Sequence, residues 1–81
     1  MKWLHSDRSR KVYHRAPADV QKAFDKQVRL LAANLHHPSL HAKKYDEARD
    51  IWQARVNRKW RFYFTIAGDT YRLEDVIAHP K

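Results

Sequence analysis

Apolar residues between positions 20 and 35 recur with the spacing of an α-helix. Steps of four, four, three and four residues place them along one helix side: Val20, Phe24, Val28, Leu31 and Leu35. Pro17 suits the first helical turn, because its missing N–H would have no partner there. Asn34 and the pair His37-Pro38 end the helix, since a residue before proline is biased out of the helical region. The pattern predicts an amphipathic helix whose apolar side packs on another element.

From Ile51 onwards the period changes to two. In segments 51–57 and 60–66 apolar side chains alternate with polar ones, as in strands with one buried face. One face, which packs on the helix, carries Trp52, Val56, Phe62 and Phe64. The other, which we call the open face, carries Gln53, Arg55, Arg61 and Tyr63.

A third strand is predicted over residues 71–78. Its alternation switches at Glu74-Asp75, which indicates a β-bulge. The turn before it uses Gly68, the only glycine of the chain, and the earlier link contains Asn57, which tolerates a left-handed backbone. Upstream, the first few residues are compatible with an edge strand, Asp7 to His14 with a short helix, and residues 42–45 with a short extended piece.

Composition limits the classes of protein to consider. With 81 residues the chain is predicted to form a single domain over residues 1–81, whose small core must rely on three Trp, three Phe and four Tyr. It has no cysteine, which excludes disulfides and thiolate metal sites and fits a reducing cytoplasm. No apolar run reaches the length of a membrane span.

The net charge of +8 is concentrated in residues 1–15 and 43–61. A small basic domain of this kind most often binds a polyanion, and nucleic acid is favoured over membrane because no basic amphipathic helix is evident. Strong positive charge that aids solubility, or that matches an acidic protein partner, is the alternative.

The open face offers chemistry suited to phosphate. Guanidinium groups such as Arg55 and Arg61 donate two parallel hydrogen bonds to a phosphate, and Tyr63 could stack on a base. Further cations are expected around them: Lys43, Lys44, Arg58, Lys59 and Arg72. Alternatively, the two arginines are solvated or pair with Glu74 and Asp75.

The connector after the helix holds three histidines, His36, His37 and His41. Without cysteine or an HExxH spacing they do not predict a zinc site. Solvated loop histidines are the simpler interpretation, although one beside a phosphate-binding face could contact the phosphate or transfer a proton.

Several short motifs follow one another after the long helix. They are an HPSL turn (37–40), a KK pair (43–44), W-x-A-R-V-N (52–57), the strand W-R-F-x-F (60–64), a GDT turn (68–70) and a last strand closing on His79-Pro80. In this order, over residues 16–81, the chain resembles the RelE/ParE superfamily of toxins from prokaryotic type II toxin–antitoxin systems. The resemblance implies an α+β fold: a small antiparallel sheet with one long and one short N-terminal helix on one face and the nucleic-acid site on the other.

The best-known branches of this superfamily are ribosome-dependent mRNA endonucleases that use neither metal nor cofactor. The resemblance implies that a 2′-hydroxyl attacks the adjacent phosphate, and that the partners are the ribosome, mRNA and a cognate antitoxin. Arg55 falls where a catalytic lysine sits and Arg61 where a transition-state arginine sits, so both are expected to stabilise the phosphate. His79 falls where the YafQ-like and HigB-like branches carry a catalytic histidine, and is expected to act as general acid or base.

The remaining expected nucleic-acid contacts are Lys43, Lys44, Gln53, Arg58, Lys59, Tyr63 and Arg72. Gln53 departs from the pattern, because it occupies the place of a second lysine. That departure favours an alternative of the same fold, a ParE-like inhibitor of DNA gyrase without nuclease chemistry. A basic nucleic-acid-binding module without catalytic activity is a third hypothesis.

Overall fold

The computed structural model describes residues 2–78. In chain order the elements are β1 (Lys2–His5), α1 (Asp7–Arg15), α2 (Ala18–Ala33), a 3-10 turn (Pro38–Leu40), β2 (Lys43–Asp46), β3 (Ile51–Arg55), β4 (Trp60–Ala67) and β5 (Thr70–Ala78). The predicted long helix, the short helix before it and the three successive strands are all present. None of the described helices is long and apolar enough to cross a membrane.

The five strands form one sheet in the order β1-β5-β4-β3-β2. All neighbouring strands are antiparallel except β1, which pairs in parallel with β5. The two segments whose structure the sequence left open, residues 2–5 and 43–46, therefore form the edges of the sheet. The α+β class and the packing of the helices on a mostly antiparallel sheet are confirmed.

The core lies between α2 and the apolar face of the sheet. Phe24 of α2 meets Phe62 of β4 edge to face, with ring centroids 5.4 Å apart, and Phe62 lies 5.8 Å from Phe64. All three rings are fully buried. Burying one such side chain stabilises the fold by about 1.5–3 kcal/mol. Of the predicted helical stripe, Leu35 alone lies beyond the helix, partly buried in the turn that follows Asn34.

Ser6 ties α1 to the sheet. Its hydroxyl accepts the backbone N–H of Ser9 at 3.1 Å, which caps the helix, and donates to the carbonyl oxygen of Glu74 at 3.0 Å. An N-cap of this kind satisfies one of the free donors at a helix start. The start of α1 is thereby fixed beside β5.

The predicted bulge in β5 is confirmed. Tyr63 pairs with Asp75 but Phe64 pairs with Leu73, which leaves Glu74 as an extra residue between them. The extra residue shifts the alternation, so Leu73 and Val76 are both buried in the core.

Of the two turn residues expected to allow a left-handed backbone, Gly68 adopts it and Asn57 does not. Gly68 has φ 59°, as expected, but among residues 2–78 the non-glycine residues with positive φ are His41 and Asp50. Asn57 acts through its side chain instead: its Oδ1 accepts the N–H groups of Lys59 and Trp60, each at 2.9 Å. An asparagine that hydrogen-bonds the backbone two residues on closes a turn without unusual φ.

Candidate nucleic-acid interface

Arg55 and Arg61 lie directly opposite each other on β3 and β4. Like charges at such a position destabilise a sheet. The two arginines line a cavity of about 340 Å³ together with Lys43, Gln53, His41 and Ala42; we call it the basic cavity. Three basic side chains, those of Arg55, Arg61 and Lys43, therefore surround one cavity.

The Arg61 side chain is held by the loop between β3 and β4. Its Nη1 donates to the carbonyl oxygens of Asn57 at 2.8 Å and of Trp60 at 3.0 Å. These bonds use Nη1, and no described residue is hydrogen-bonded to Nε or Nη2 of Arg61. The turn closed by Asn57 thereby orients a cation of the basic cavity.

The backbone of Arg55 is held by a residue of α2, on the helix side of the sheet. The Arg55 Nε is buried and makes no hydrogen bond with any of the described residues, and an unsatisfied buried donor of this kind is costly. Its carbonyl oxygen accepts a hydrogen bond of 2.9 Å from Nε2 of Gln27, which also donates to the carbonyl oxygen of Ser39 at 3.0 Å. Gln27 is only 4% exposed, and it fixes the end of β3 at the cavity.

Gln27 is a residue of the site that the sequence patterns did not predict. It lies at the helical spacing of Phe24 and Leu31, so it is a polar residue within the buried stripe. A polar residue at such a position indicates a specific structural role, because a buried amide needs hydrogen-bond partners.

An aromatic pair adjoins the basic cavity. Gln53 lies between Lys43 and Tyr63 in the sheet, and its Nε2 donates to Tyr63 Oη at 3.0 Å. The Tyr63 ring meets Tyr45 edge to face at 4.9 Å. The predicted contacts Lys43, Gln53 and Tyr63 therefore form one continuous surface with Arg55 and Arg61.

The expectation that Lys44 shares the open face is wrong. Lys44 pairs with Trp52, and its Nζ lies 5.1 Å from the Trp52 ring centroid, on the apolar side. Successive residues of a strand point to opposite faces, so Lys43 and Lys44 cannot both face the cavity. Lys44 Nζ also bonds Asp50 Oδ1 at 2.8 Å, and this bond raises the pKa of the Lys44 ammonium.

The other predicted cations lie outside the basic cavity. Arg58 and Lys59 are exposed in the loop between β3 and β4, where they line clefts on the helix side of the sheet. Arg72 is opposite Thr65 on β4. The carboxylates that could have neutralised the central arginines bond elsewhere, since Glu74 pairs with Arg72 at 3.4 Å and Asp75 with Arg8 at 3.5 Å.

Among the connector histidines, His41 alone lines the basic cavity. Its φ is 48° and its ring is exposed, whereas His37 caps the 3-10 turn by accepting the Ser39 N–H at 3.1 Å. His79 lies outside the described residues. The residue before it, Ala78, pairs with Trp60 at the end of the sheet where Arg61 lies. Within residues 2–78 there is no group of three or more His, Cys, Asp or Glu that could hold a metal ion.

Comparison with known proteins finds similarity in structure but not in sequence. No protein-family model matches the chain, and no protein of curated function does. Among solved structures, a YoeB/ParE toxin from Agrobacterium tumefaciens superposes with a TM-score of 0.82 at 15% identity, over 99% of this chain and 100% of the other.

Two toxin–antitoxin complexes superpose similarly. The RelE–RelB complex of Pyrococcus horikoshii OT3 gives a TM-score of 0.82 at 10% identity, covering 99% of this chain and 96% of the other. The YoeB–YefM heterotetramer of Staphylococcus aureus gives 0.78 at 13% identity, covering 99% and 98%. The fold that the RelE/ParE resemblance implied is thereby confirmed.

Proposed function

We propose that this chain is the toxin of a type II toxin–antitoxin system and acts as a ribosome-dependent mRNA endonuclease. The observation that carries the proposal is the opposed pair Arg55 and Arg61, with the Arg55 Nε buried and unpaired at the basic cavity. The fold shared with YoeB and RelE supports a toxin, and the cavity supports a phosphodiester substrate.

In the proposed reaction, the 2′-hydroxyl of one nucleotide loses its proton and attacks the adjacent phosphorus. The bond from phosphorus to the 5′-oxygen breaks, leaving a 2′,3′-cyclic phosphate and a free 5′-hydroxyl. Negative charge builds up on the phosphorane oxygens, and prepositioned cations stabilise such charge more than that of the ground state. Arg55 and Arg61 have this role, and the buried Arg55 Nε gains an acceptor when the phosphate binds.

Proton transfer needs a group whose pKa lies nearer neutrality than that of arginine or lysine. We assign one transfer to His79, which as general base takes the 2′-hydroxyl proton or as general acid gives a proton to the leaving 5′-oxygen, and water exchanges the other proton. Gln53 cannot transfer a proton, because its side chain is an amide. Its role is to orient Tyr63 beside the scissile phosphate.

The proposed substrate contacts fall into two groups. Lys43, Gln53 and Tyr63 lie at the cavity and contact the nucleotides that flank the scissile bond. Arg58, Lys59 and Arg72 lie further away and contact the RNA backbone. Lys44 is left out, because it faces the helix side and is paired with Asp50.

The proposed protein partner is a small antitoxin. Two similar toxins were crystallised with RelB and YefM. An antitoxin that covers the open face would shield the opposed arginines and prevent RNA from reaching the basic cavity.

Expression of the chain alone in bacteria tests the proposal. We expect growth arrest with new mRNA 5′ ends inside translated codons, abolished by Arg61→Ala and strongly reduced by His79→Ala. Lys22→Ala, which removes an exposed cation from α2, serves as a matched control and should leave the cuts unchanged. Intact mRNA in arrested cells would contradict the proposal.

Gyrase inhibition is the second candidate, favoured by Gln53 in place of a second lysine. DNA supercoiling is therefore measured in the same cells. Impaired supercoiling with intact mRNA would assign the chain to gyrase. Absence of toxicity would favour a non-catalytic nucleic-acid-binding module.

A further inference from the structure

A second cavity, of about 350 Å³, opens on the open face beside the basic cavity. Its walls are apolar and aromatic: Tyr45, Tyr63, Ile51 and Ile77. Glu74, Asp75 and Arg8 lie along its remaining side. We call it the aromatic cavity.

The walls of the aromatic cavity are unusually exposed for apolar side chains. Tyr45 is 61% exposed and Ile77 43%, although the domain is small and strongly charged. Exposed aromatic rings beside a cationic groove are the arrangement on which single-stranded bases stack. The cavity therefore favours a flat aromatic ligand.

A hydrogen bond between Gln53 and Tyr63 lies at the boundary of the two cavities. Gln53 lines the basic cavity and Tyr63 lines the aromatic one, and the two side chains are joined at 3.0 Å. A nucleotide whose phosphate lies between Arg55 and Arg61 can therefore place a neighbouring base against Tyr63. This continuity identifies the occupant as a base of the same RNA strand.

The polar side of the aromatic cavity presents carboxylate oxygens. Glu74 uses Oε2 to accept the Thr65 hydroxyl at 3.0 Å and to pair with Arg72, so Oε1 is not engaged by these contacts. Asp75 accepts its neighbour's N–H, that of Val76, through Oδ1 at 2.9 Å. Its Oδ2 lies 3.5 Å from Nε of Arg8, whose side chain is otherwise exposed.

We propose that the aromatic cavity is a nucleobase subsite that selects guanine next to the scissile phosphate; this rests on the proposed endonuclease function. Guanine alone among the four bases has two adjacent donors, N1–H and the 2-amino group, which match carboxylate acceptors. Its O6 and N7 suit an arginine such as Arg8. Uracil offers one donor, N3–H, between two carbonyl oxygens, and these oxygens would lie unpaired against Glu74 and Asp75, which is unfavourable.

Cleavage mapping with the full chain tests the subsite. We expect the wild-type cuts to be enriched for guanine at one fixed position beside the scissile bond, and Glu74→Gln to lose most of this enrichment. Glu47→Gln removes the same charge from an exposed turn and should keep the wild-type preference. Tyr45→Ala, at an exposed edge-strand position, is the second variant and should weaken the preference through lost stacking.

In a reconstituted translation reaction, one guanosine of the mRNA is replaced by inosine, which lacks only the 2-amino group. We expect the wild type to cut the inosine mRNA about tenfold more slowly, as for loss of one partner of a bidentate pair. Glu74→Gln should cut the two mRNAs at similar rates. The 2-amino group of guanine and the Glu74 carboxylate are partners, so losing one removes the effect of losing the other.

The outcomes separate this inference from the proposed function. Cuts without base preference, or an unchanged preference in Glu74→Gln, would overturn the guanine subsite and leave the endonuclease standing. If Glu74→Gln and Tyr45→Ala changed only neutralisation by the antitoxin, the aromatic cavity would be a binding site for the antitoxin and the guanine subsite would be overturned. No cleavage by the wild type would overturn both.

Discussion

Gln53 and Tyr63 are joined across the two central strands by a hydrogen bond of 3.0 Å from Nε2 to Oη. The bond lies at the boundary between the basic and aromatic cavities. A lysine at position 53 would add a charge to the basic cavity. The amide instead fixes the orientation of an aromatic ring, so Gln53 adds no charge to the open face beyond that of Arg55, Arg61 and Lys43.

Tyr63→Phe tests this bond, because it removes the acceptor and keeps the ring. We expect the free energy of unfolding to fall by about 0.5–1.5 kcal/mol and mRNA cleavage to fall several-fold, since Gln53 and the ring lose their mutual orientation. Urea unfolding and cleavage assays measure the two effects. Tyr45→Phe is the control, because the Tyr45 hydroxyl makes no hydrogen bond with the described residues; equal effects of the two variants would refute the role of the bond.

Arg55→Ala and Arg61→Ala should both abolish cleavage but differ in their effect on stability. Arg55→Ala relieves the repulsion between opposed cations, so we expect an unfolding free energy equal to that of the wild type or up to about 0.5 kcal/mol higher. Arg61→Ala leaves the carbonyl of Asn57 without its donor, while the Trp60 carbonyl keeps the N–H of Val56, and should cost about 1 kcal/mol. Urea denaturation separates the two cases. A clear loss of stability in Arg55→Ala would show that Arg55 supports the fold.

Most of the fold could be predicted from the sequence because its signals are local. The helical stripe from Val20 to Leu31 and the alternation of β3 and β4 each follow from one period, and the bulge follows from the break at Glu74. The edge strands were harder to predict, because four residues such as Lys2–His5 carry too short a pattern and acquire their structure by pairing with β5.

The candidate site was predicted less completely, since it depends on register and on contacts distant in sequence. The alternation placed Arg55 and Arg61 on one face, but the face of Lys44 is fixed only by its pairing with Trp52. Gln27 reaches Arg55 across 28 positions, which no local pattern reveals.

Gln27→Ala tests whether α2 positions the end of β3 that carries Arg55. The carbonyls of Arg55 and Ser39 would lose their buried donor, at a cost of about 1–3 kcal/mol. We expect lower cleavage as well, because the end of β3 is released. Thermal unfolding and cleavage at a temperature where the variant stays folded measure these effects. The control is Gln21→Ala, whose amide bonds the Tyr13 carbonyl away from the cavity; it should keep its activity.

Lys43→Ala and Lys44→Ala form a matched pair of adjacent residues. Lys43 faces the basic cavity, so its loss should weaken RNA binding and lower the salt dependence of binding by about one counterion. Lys44→Ala removes the contacts with Asp50 and Trp52, so it should reduce stability slightly and leave the salt dependence unchanged. Binding of a single-stranded oligoribonucleotide is measured at several salt concentrations. An equal decrease for both variants would mean that the two lysines act only through net charge.

His5 predicts how stability depends on pH. Its ring packs against Phe24 and Tyr13, and its Nδ1 lies 3.0 Å from the Ser9 hydroxyl. Burial, followed by the positive charge of Arg10, lowers the pKa of His5 below its ordinary value of 6.5, while Asp25 opposes and His14 adds to the effect.

Because the folded protein disfavours the charged ring, the unfolded chain binds the proton first. The contribution of His5 to stability is therefore complete above pH 6.5 and is lost as the pH falls from there through the lowered pKa. We expect the unfolding free energy to be lower at about pH 5.5 than at about pH 7.5. His5→Asn, which cannot be charged, should flatten this difference even if it lowers stability at both pH values. His36→Asn, at an exposed histidine, should keep the wild-type difference, and a His5→Asn profile parallel to the wild type would show that another group controls the pH dependence.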